Sequence, residues 1–264
     1  MRYLLACLVL LSACAPQSSP HAGNTTITVL SYNIHHANPP SQPGVIDIEA
    51  IANVINAQQP QLVALQELDV NTKRSGSTLN QAEELGRLTG MHFYFAKTID
   101  YDGGEYGIGF LSKFPLRYIK QTMLPTAAGT NGEPRCMAAA EIELPNRKKI
   151  LFVSTHLDAQ RNDTNRLLQI RAISDILQEQ KLPVVIAGDF NAAPSTRIIQ
   201  HLDQHFTRTC VTGCGFTIPE KNPTKTIDFI AYRPSAAFEV MEHQVIDEPY
   251  ASDHLPVKAV LKLN

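Results

Sequence analysis

Val184-Val185-Ile186-Ala187-Gly188-Asp189-Phe190-Asn191 runs from an uninterrupted apolar stretch into a glycine, a carboxylate and a carboxamide. A short run that is apolar at every position reads as a strand covered on both faces. Gly188 ends it. Asp189 and Asn191 stand two residues apart, which in extended chain puts both side chains on one side. A carboxylate there can orient or deprotonate a water, and an amide can donate to a phosphoryl oxygen where charge builds up. An Asx-turn capping a helix near Pro194 would use the same residues.

The same form recurs along the chain. Leu62 to Leu65 is fully apolar and leads to Gln66-Glu67, Thr26 to Leu30 leads to Ser31-Tyr32-Asn33, and Leu151 to Thr155 ends at His156. Ser252-Asp253-His254 precedes the last apolar segment, Leu255 to Leu263. Acidic or amide clusters at the ends of separate strands suggest one catalytic pocket assembled from distant parts of the chain. A glutamate directly after a buried run sits at a sheet rim, partly shielded from water, which suits a metal ligand and equally suits a rim ion pair. Ser252-Asp253-His254 is not a hydrolase triad, because adjacent residues do not reach that geometry and no Gly-x-Ser-x-Gly elbow accompanies it. No His-Glu-x-x-His or paired-cysteine spacing indicates zinc. Oxygen-rich clusters favour Mg²⁺ or Mn²⁺.

Further segments complete an α/β pattern. Asp47 reads as an N-cap, followed by Ile48, Ile51, Ala52 and Ile55 at helical spacing up to Pro60. Gln81 to Leu88 reads as a second helix stopped by Gly90, and Asn165 to Gln178 as a third. Strands are expected over 92–97, 107–111, 116–122, 136–144, 149–155, 227–231 and 238–245, between Gly and Pro signals. Helices mixed with strands, some with hairpin-like neighbours, argue for an α/β sandwich with mixed sheets and not for regular βαβ alternation.

The chain has 264 residues, 44% apolar and 18% charged, and no composition shift divides it, so one large domain is expected. A formal net charge of −2 without a basic tract lowers a nucleic-acid reading but leaves room for a local patch. Met1-Arg2, the apolar core Leu4 to Leu11 and Leu11-Ser12-Ala13-Cys14 resemble a bacterial lipoprotein signal with its lipobox. That resemblance implies a signal peptide over 1–13, acylation of Cys14, a polar tether over 14–25 and a catalytic domain over 26–264. The chain is then expected to be exported and lipid-anchored to a membrane of the bacterial cell envelope. In an oxidising compartment Cys210 and Cys214 can close a small loop by disulfide or remain free thiols, and Cys136 is the odd one.

Asn33, Gln66-Glu67, Thr155-His156-Leu157, Gly188-Asp189-Phe190-Asn191, Ile227-Asp228-Phe229-Ile230 and Ser252-Asp253-His254-Leu255-Pro256-Val257 occur in the order seen in the endonuclease/exonuclease/phosphatase superfamily. The chain resembles that superfamily from about Thr26 onward. The resemblance implies a four-layer α-β-β-α sandwich of two mixed β-sheets flanked by helices, with a metal-dependent phosphoesterase site at one edge. It implies a metal set of Asn33, Glu67 and Asp253, with Mg²⁺ or Mn²⁺. It implies that Asp189 orients or activates water, Asn191 contacts the scissile phosphate, and His254, oriented by Asp228, contacts the phosphate or serves as acid or base. His156 matches a second histidine of the deoxyribonuclease-like branch, whose partner is a glutamate matched here by Glu105 in Asp102-Gly103-Gly104-Glu105-Tyr106-Gly107. Ile108 departs from that segment, where related branches often carry a polar residue.

Thr72-Lys73-Arg74-Ser75-Gly76, Gln81, Arg135 and Arg166-x-x-Gln169 resemble a bacterial branch of the superfamily. Arg135, just before a strand, either binds a substrate phosphate bidentately or makes a surface salt bridge. The substrate class stays open between nucleic acid, a phospholipid head group and a sugar or inositol phosphate. The alternative is a catalytically inactive binding module on the same fold, which would lack a metal carboxylate or the terminal histidine. Glu67, Asp189, Asn191, Asp253 and His254 are all present.

Overall fold

A computed structural model describes residues 25–264. The expected signal peptide, Cys14 and nearly all of the tether lie outside the described residues.

Two six-stranded sheets form the centre. The first contains β1 (Thr25–Asn33), β2 (Leu62–Val70), β3 (His92–Tyr101), β4 (Gly104–Ser112), β11 (Phe238–Val245) and β12 (Val257–Leu263), in the order β11-β12-β1-β2-β4-β3. The second contains β5 (Leu116–Met123), β6 (Cys136–Glu143), β7 (Lys149–His156), β8 (Val184–Asp189), β9 (Thr207–Arg208) and β10 (Asp228–Arg233), in the order β5-β6-β7-β8-β10-β9. Each sheet is antiparallel except for one pair near its centre: β1 runs parallel to β2, and β7 to β8. Helices α1 (Ile48–Gln58) and α2 (Gln81–Thr89) cover the first sheet, while α3 (Thr164–Gln178) and α4 (Arg197–His205) cover the second.

The apolar pattern explains this layering. Val185 and Ala187 of β8 face the other sheet, where they meet Leu62 and Ala64 of β2 in the central core. Val184 and Ile186 point the opposite way, into the layer with Ile170, Ile173 and Leu202 of the helices. Likewise Val63 and Leu65 of β2 pack on Ile51, Ile55 and Leu85. Both strands are covered on both faces, so neither tolerates a polar position until its end. The four-layer sandwich expected from the sequence is thus present, held by three interlayer cores.

Local signals set the element ends. Asp47 caps α1 by accepting from the Ala50 amide at 2.9 Å, and Gly90 ends α2 with a left-handed φ of 63°. Two features depart from the sequence reading. Strand β2 does not stop at Leu65 but continues to Val70 through a β-bulge between Gln66 and Leu68. Asp102 and Gly103, with φ of 45° and 80°, form the two-residue turn of the β3–β4 hairpin, so the glycine-rich segment is mostly strand. Helix α4 begins at Arg197, just beyond the Pro194 near which a helix was one reading of the sequence, and buries Ile198, Ile199 and Leu202. Cys210 and Cys214 are disulfide-bonded, and Cys136 is free and buried. No helix among the described residues is long and apolar enough to cross a membrane.

Gly188 carries the close approach of β7 and β8. A Cβ at that position would lie 2.1 Å from the Thr155 carbonyl oxygen. Gly188→Ala is therefore expected to cost about 1–3 kcal/mol, read as a lower urea midpoint in equilibrium unfolding. An unchanged midpoint would show that the strand pair can part without cost.

Candidate active site

The parallel pairs end at the same edge of the sandwich. Asn33 closes β1, opposite Gln66 of β2, while His156 closes β7, opposite Asp189 at the end of β8. The antiparallel partner of Asp189 is Asp228, the first residue of β10. The loop before β12 adds Ser252, Asp253 and His254. Ser252 Oγ donates to the Asn33 carbonyl at 2.7 Å and accepts from the His254 amide at 3.2 Å, which ties this last motif to the end of β1.

Glu67 occupies the β2 bulge with a left-handed φ of 60°. Such a backbone is uncommon for a residue with a Cβ and costs conformational energy. The bulge turns Glu67 out of the strand's regular alternation, half-exposed between buried Gln66 and Leu68. Asn33 Nδ2 donates to Glu67 Oε1 at 2.9 Å and, across to the other sheet, to Asp189 Oδ2 at 3.2 Å. Its Oδ1 accepts from the His35 amide at 3.1 Å. Asn33 therefore clamps two carboxylates through its nitrogen. Its Oδ1 keeps a second lone pair, which leaves room for the metal-side role implied for Asn33. His35 itself turns its ring Nδ1 to the Asn38 carbonyl at 2.9 Å.

Two histidines approach Asp189 in opposite charge states. His254 places Nδ1 2.9 Å from Asp228 Oδ2 and Nε2 3.8 Å from Asp189 Oδ2. Burial disfavours its charge, but the Asp228 carboxylate, with help from Asp189 and Asp253, overrides it and holds the pKa at about 10. His156 instead has Nδ1 3.1 Å from Arg135 Nη1. A guanidinium only donates, so Nδ1 must accept and the ring is neutral with its proton on Nε2. That nitrogen lies 3.5 Å from Asp189 Oδ2, which can accept its proton, and 3.0 Å from Asn191 Nδ2, a fellow donor that makes no hydrogen bond to it in this tautomer. Burial first, then the charges of Arg135 and His254, push the His156 pKa well below its ordinary value. Asp189 is raised to about 7 by burial and by Asp228, partly offset by His254, the Asn191 backbone amide at 2.7 Å and Asn33.

Glu105 is not at this site. The β3–β4 register sets it beside Asp100, and its carboxylate pairs with Lys97 Nζ at 3.0 Å. The partner of His156 is Arg135, not Glu105. Arg135 turns Nη1 to His156 and to Glu133 at 3.1 Å, so the salt bridge read for it is present, with the arginine end buried and not at the surface. The motifs that resemble a bacterial branch prove to be braces. Asp69 accepts from Arg74, Thr72 and Ser75, and Arg74 lies over the Tyr101 ring at 4.4 Å. Gln81 joins the Asp69 amide to the His36 carbonyl. Gln169 and Arg166 hold the backbone of Asp158 just beyond His156.

Two sets of residues offer ligands to a cation. The ligand atoms of Asp189, Asp228 and His254 lie within 4.8 Å of one another. A His254 that is protonated and bonded to Asp228 has no free lone pair, so this trio fits proton handling better. Glu67 and Asp253 are half-buried carboxylates with no Lys or Arg partner among the described residues. Such hard oxygen donors facing solvent fit Mg²⁺ or Mn²⁺.

The family model described as "Endonuclease/Exonuclease/phosphatase family" matches residues 30–254. An endonuclease/exonuclease/phosphatase from Beutenbergia cavernae DSM 12333 is similar in structure, with a TM-score of 0.74 and 23% identity over 90% of this chain and 72% of that one. A mannosyl-6-phosphatase from Bacteroides thetaiotaomicron VPI-5482 has a TM-score of 0.72 and 19% identity over 89% of this chain and 99% of its own. The human Nocturnin catalytic domain with bound sulfate anion has a TM-score of 0.68 and 20% identity over 90% of this chain and 95% of its own. At these identities the likeness is one of fold.

The opposed histidines give a direct test. In Asp228→Asn, with chelator present, the His254 imidazole should lose its elevated pKa and titrate well below about 10, followed by the NMR shift of its ring carbons. His254 is charged below its folded pKa, so wild type keeps the ion pair through neutral pH and loses it as pH rises through that value. An unmoved titration would mean that Asp228 is not what holds the proton.

Proposed function

Since this chain belongs to the endonuclease/exonuclease/phosphatase family, we propose that it hydrolyses a phosphoester with water as nucleophile and Mg²⁺ or Mn²⁺ as cofactor. The observation that carries this reading is the Asn33 amide, which holds Glu67 and Asp189 to one point from opposite sheets. A phosphoester is anionic and repels a hydroxide. Glu67 and Asp253 are the residues that would hold the metal, which would supply charge neutralisation to the phosphoryl oxygens and the leaving group. The chain's own residues do the rest.

Asp189, with a pKa of about 7, can accept a proton from the attacking water at neutral pH. Asn33 and the Asn191 backbone amide fix its two oxygens, so the water meets an oriented base. Asn191 can turn its amide to the scissile phosphate. His254, charged and braced by Asp228, faces the same point and can donate to the phosphate or to the departing oxygen. His156 adds a neutral N–H donor, because Arg135 fixes its tautomer. No covalent intermediate is required.

The same proposal places the enzyme outside the cytoplasm. The lipobox-like Leu11-Ser12-Ala13-Cys14 supports acylation of Cys14, with residues 14–25 tethering a catalytic domain over 26–264 to the envelope membrane. The bonded Cys210 and Cys214 suit an oxidising compartment. Labelled palmitate should enter the wild-type chain and not Cys14→Ser; equal labelling would remove the anchor.

The full chain in detergent should hydrolyse bis(4-nitrophenyl) phosphate with Mg²⁺ or Mn²⁺, stop with EDTA and recover when metal returns. Metal-independent turnover would sink the mechanism. Asp189→Asn and His254→Ala should each lower kcat by at least about a hundredfold, and a near-normal rate in either would strip that residue of its role.

A further inference from the structure

Beside Asn191 the surface opens into a recess of about 340 Å³, lined among others by Arg161, Asp163, Arg166 and Thr196. It is contiguous with the site, because the Asn191 side chain that borders it also touches His156. Two helices begin at its wall: α3, 15 residues long, after Asp163, and α4, 9 residues long, after Thr196. Neither N-cap side chain closes its helix. Asp163 is turned to Arg197, accepting at 2.9 and 2.7 Å, and Thr196 Oγ1 donates back to the Ala193 carbonyl. Asn162 meets only the first amide of α3, at Thr164. The remaining first-turn amides keep their partial positive charge.

Cationic side chains add to this. Arg166 is 8% exposed, and its Nη1 is bonded to the carbonyls of Asp158 and Gln160, while its Nε is buried without a partner. Arg166 lines the recess and is bonded through Nη1 alone, and a guanidinium so buried and only partly paired is completed best by an anion. Arg161 is exposed and, among the described residues, has no carboxylate partner. Asp163 lines the recess too, but the Arg197 guanidinium neutralises it. The recess is therefore net positive.

We propose that this recess is a subsite for a second phosphate group of the substrate, flanking the phosphate that is cleaved. The assignment rests on the hydrolase reading above and narrows it. A positive recess next to the reacting group repels the quaternary ammonium of a choline head group. It favours a substrate carrying two neighbouring phosphates, as an oligonucleotide or a multiply phosphorylated inositol does.

The test uses the full chain with matched substrate pairs: dithymidine phosphate with and without a 5′-phosphate, and inositol phosphodiesters with and without a second phosphate. The second phosphate should lower KM by about tenfold or more in at least one pair, and the pair that responds identifies the source. Arg161→Gln should collapse that ratio toward one, and Arg161→Glu should invert it. Equal KM values within both pairs, or a ratio that survives in Arg161→Gln, overturns the subsite. Calorimetry with inorganic pyrophosphate separates the two readings. Binding that weakens about tenfold in Arg161→Gln supports the recess even if no substrate is turned over, an outcome that would overturn only the hydrolase. Pyrophosphate binding that ignores the substitution overturns the recess.

Discussion

The side-chain amide of Asn33 donates to Glu67 on its own sheet and to Asp189 on the opposite one. Everything at the site depends on that span. Two sheets packed through side chains on the scale of Ala64, Ala138 and Ala187 come close enough for one amide to bridge them. The bridge then fixes how far the Glu67 carboxylate stands from that of Asp189. Ser252 extends the same control to His254, since its hydroxyl is bonded to the Asn33 backbone. A change at the rim of one sheet is thus transmitted to the chemistry on the other.

Much of this was readable from the residues. Val184 to Ala187 and Leu62 to Leu65 announced strands covered on both faces, because only such strands exclude polar side chains at every position. Asp47 and Gly90 marked helix ends through capping chemistry that is local and so visible in sequence. The candidate site residues were legible because each borders an apolar run: Asn33, Glu67, His156 and Asp189 come at or after the end of one, and Asp228 and His254 just before one. What stayed hidden depends on backbone geometry or on three-dimensional neighbours. Nothing in Leu65-Gln66-Glu67-Leu68 announces a left-handed residue, yet that bulge aims Glu67. Glu105 was misplaced because its glycine-rich neighbourhood looked like a loop, whereas the Asp102-Gly103 turn makes it a strand residue beside Lys97. Arg135 had no sequence signal at all for its partner, 21 residues away.

The charge distribution is arranged by pairing, not by composition. A net charge of −2 says nothing of a site where one histidine is kept charged by Asp228 and another neutral by Arg135. Both face Asp189, so the central carboxylate has a cation on one side and a neutral donor on the other. Pushing the states of like groups apart is how one pocket offers acid and base functions at one pH.

The register that sets Asp228 opposite Asp189 puts two carboxylates side by side in a buried ladder. Strand pairing alone would never choose that arrangement, and His254 relieves it only in part. The fold therefore carries a built-in incentive to lose its function. Replacing Asp189 with a neutral residue of similar shape removes that repulsion and leaves the Asp228–His254 pair intact, at the same stroke that takes away the proposed base. In a lineage released from selection for catalysis, decay would begin at this ladder, and the product would be a sturdier scaffold fit only for binding.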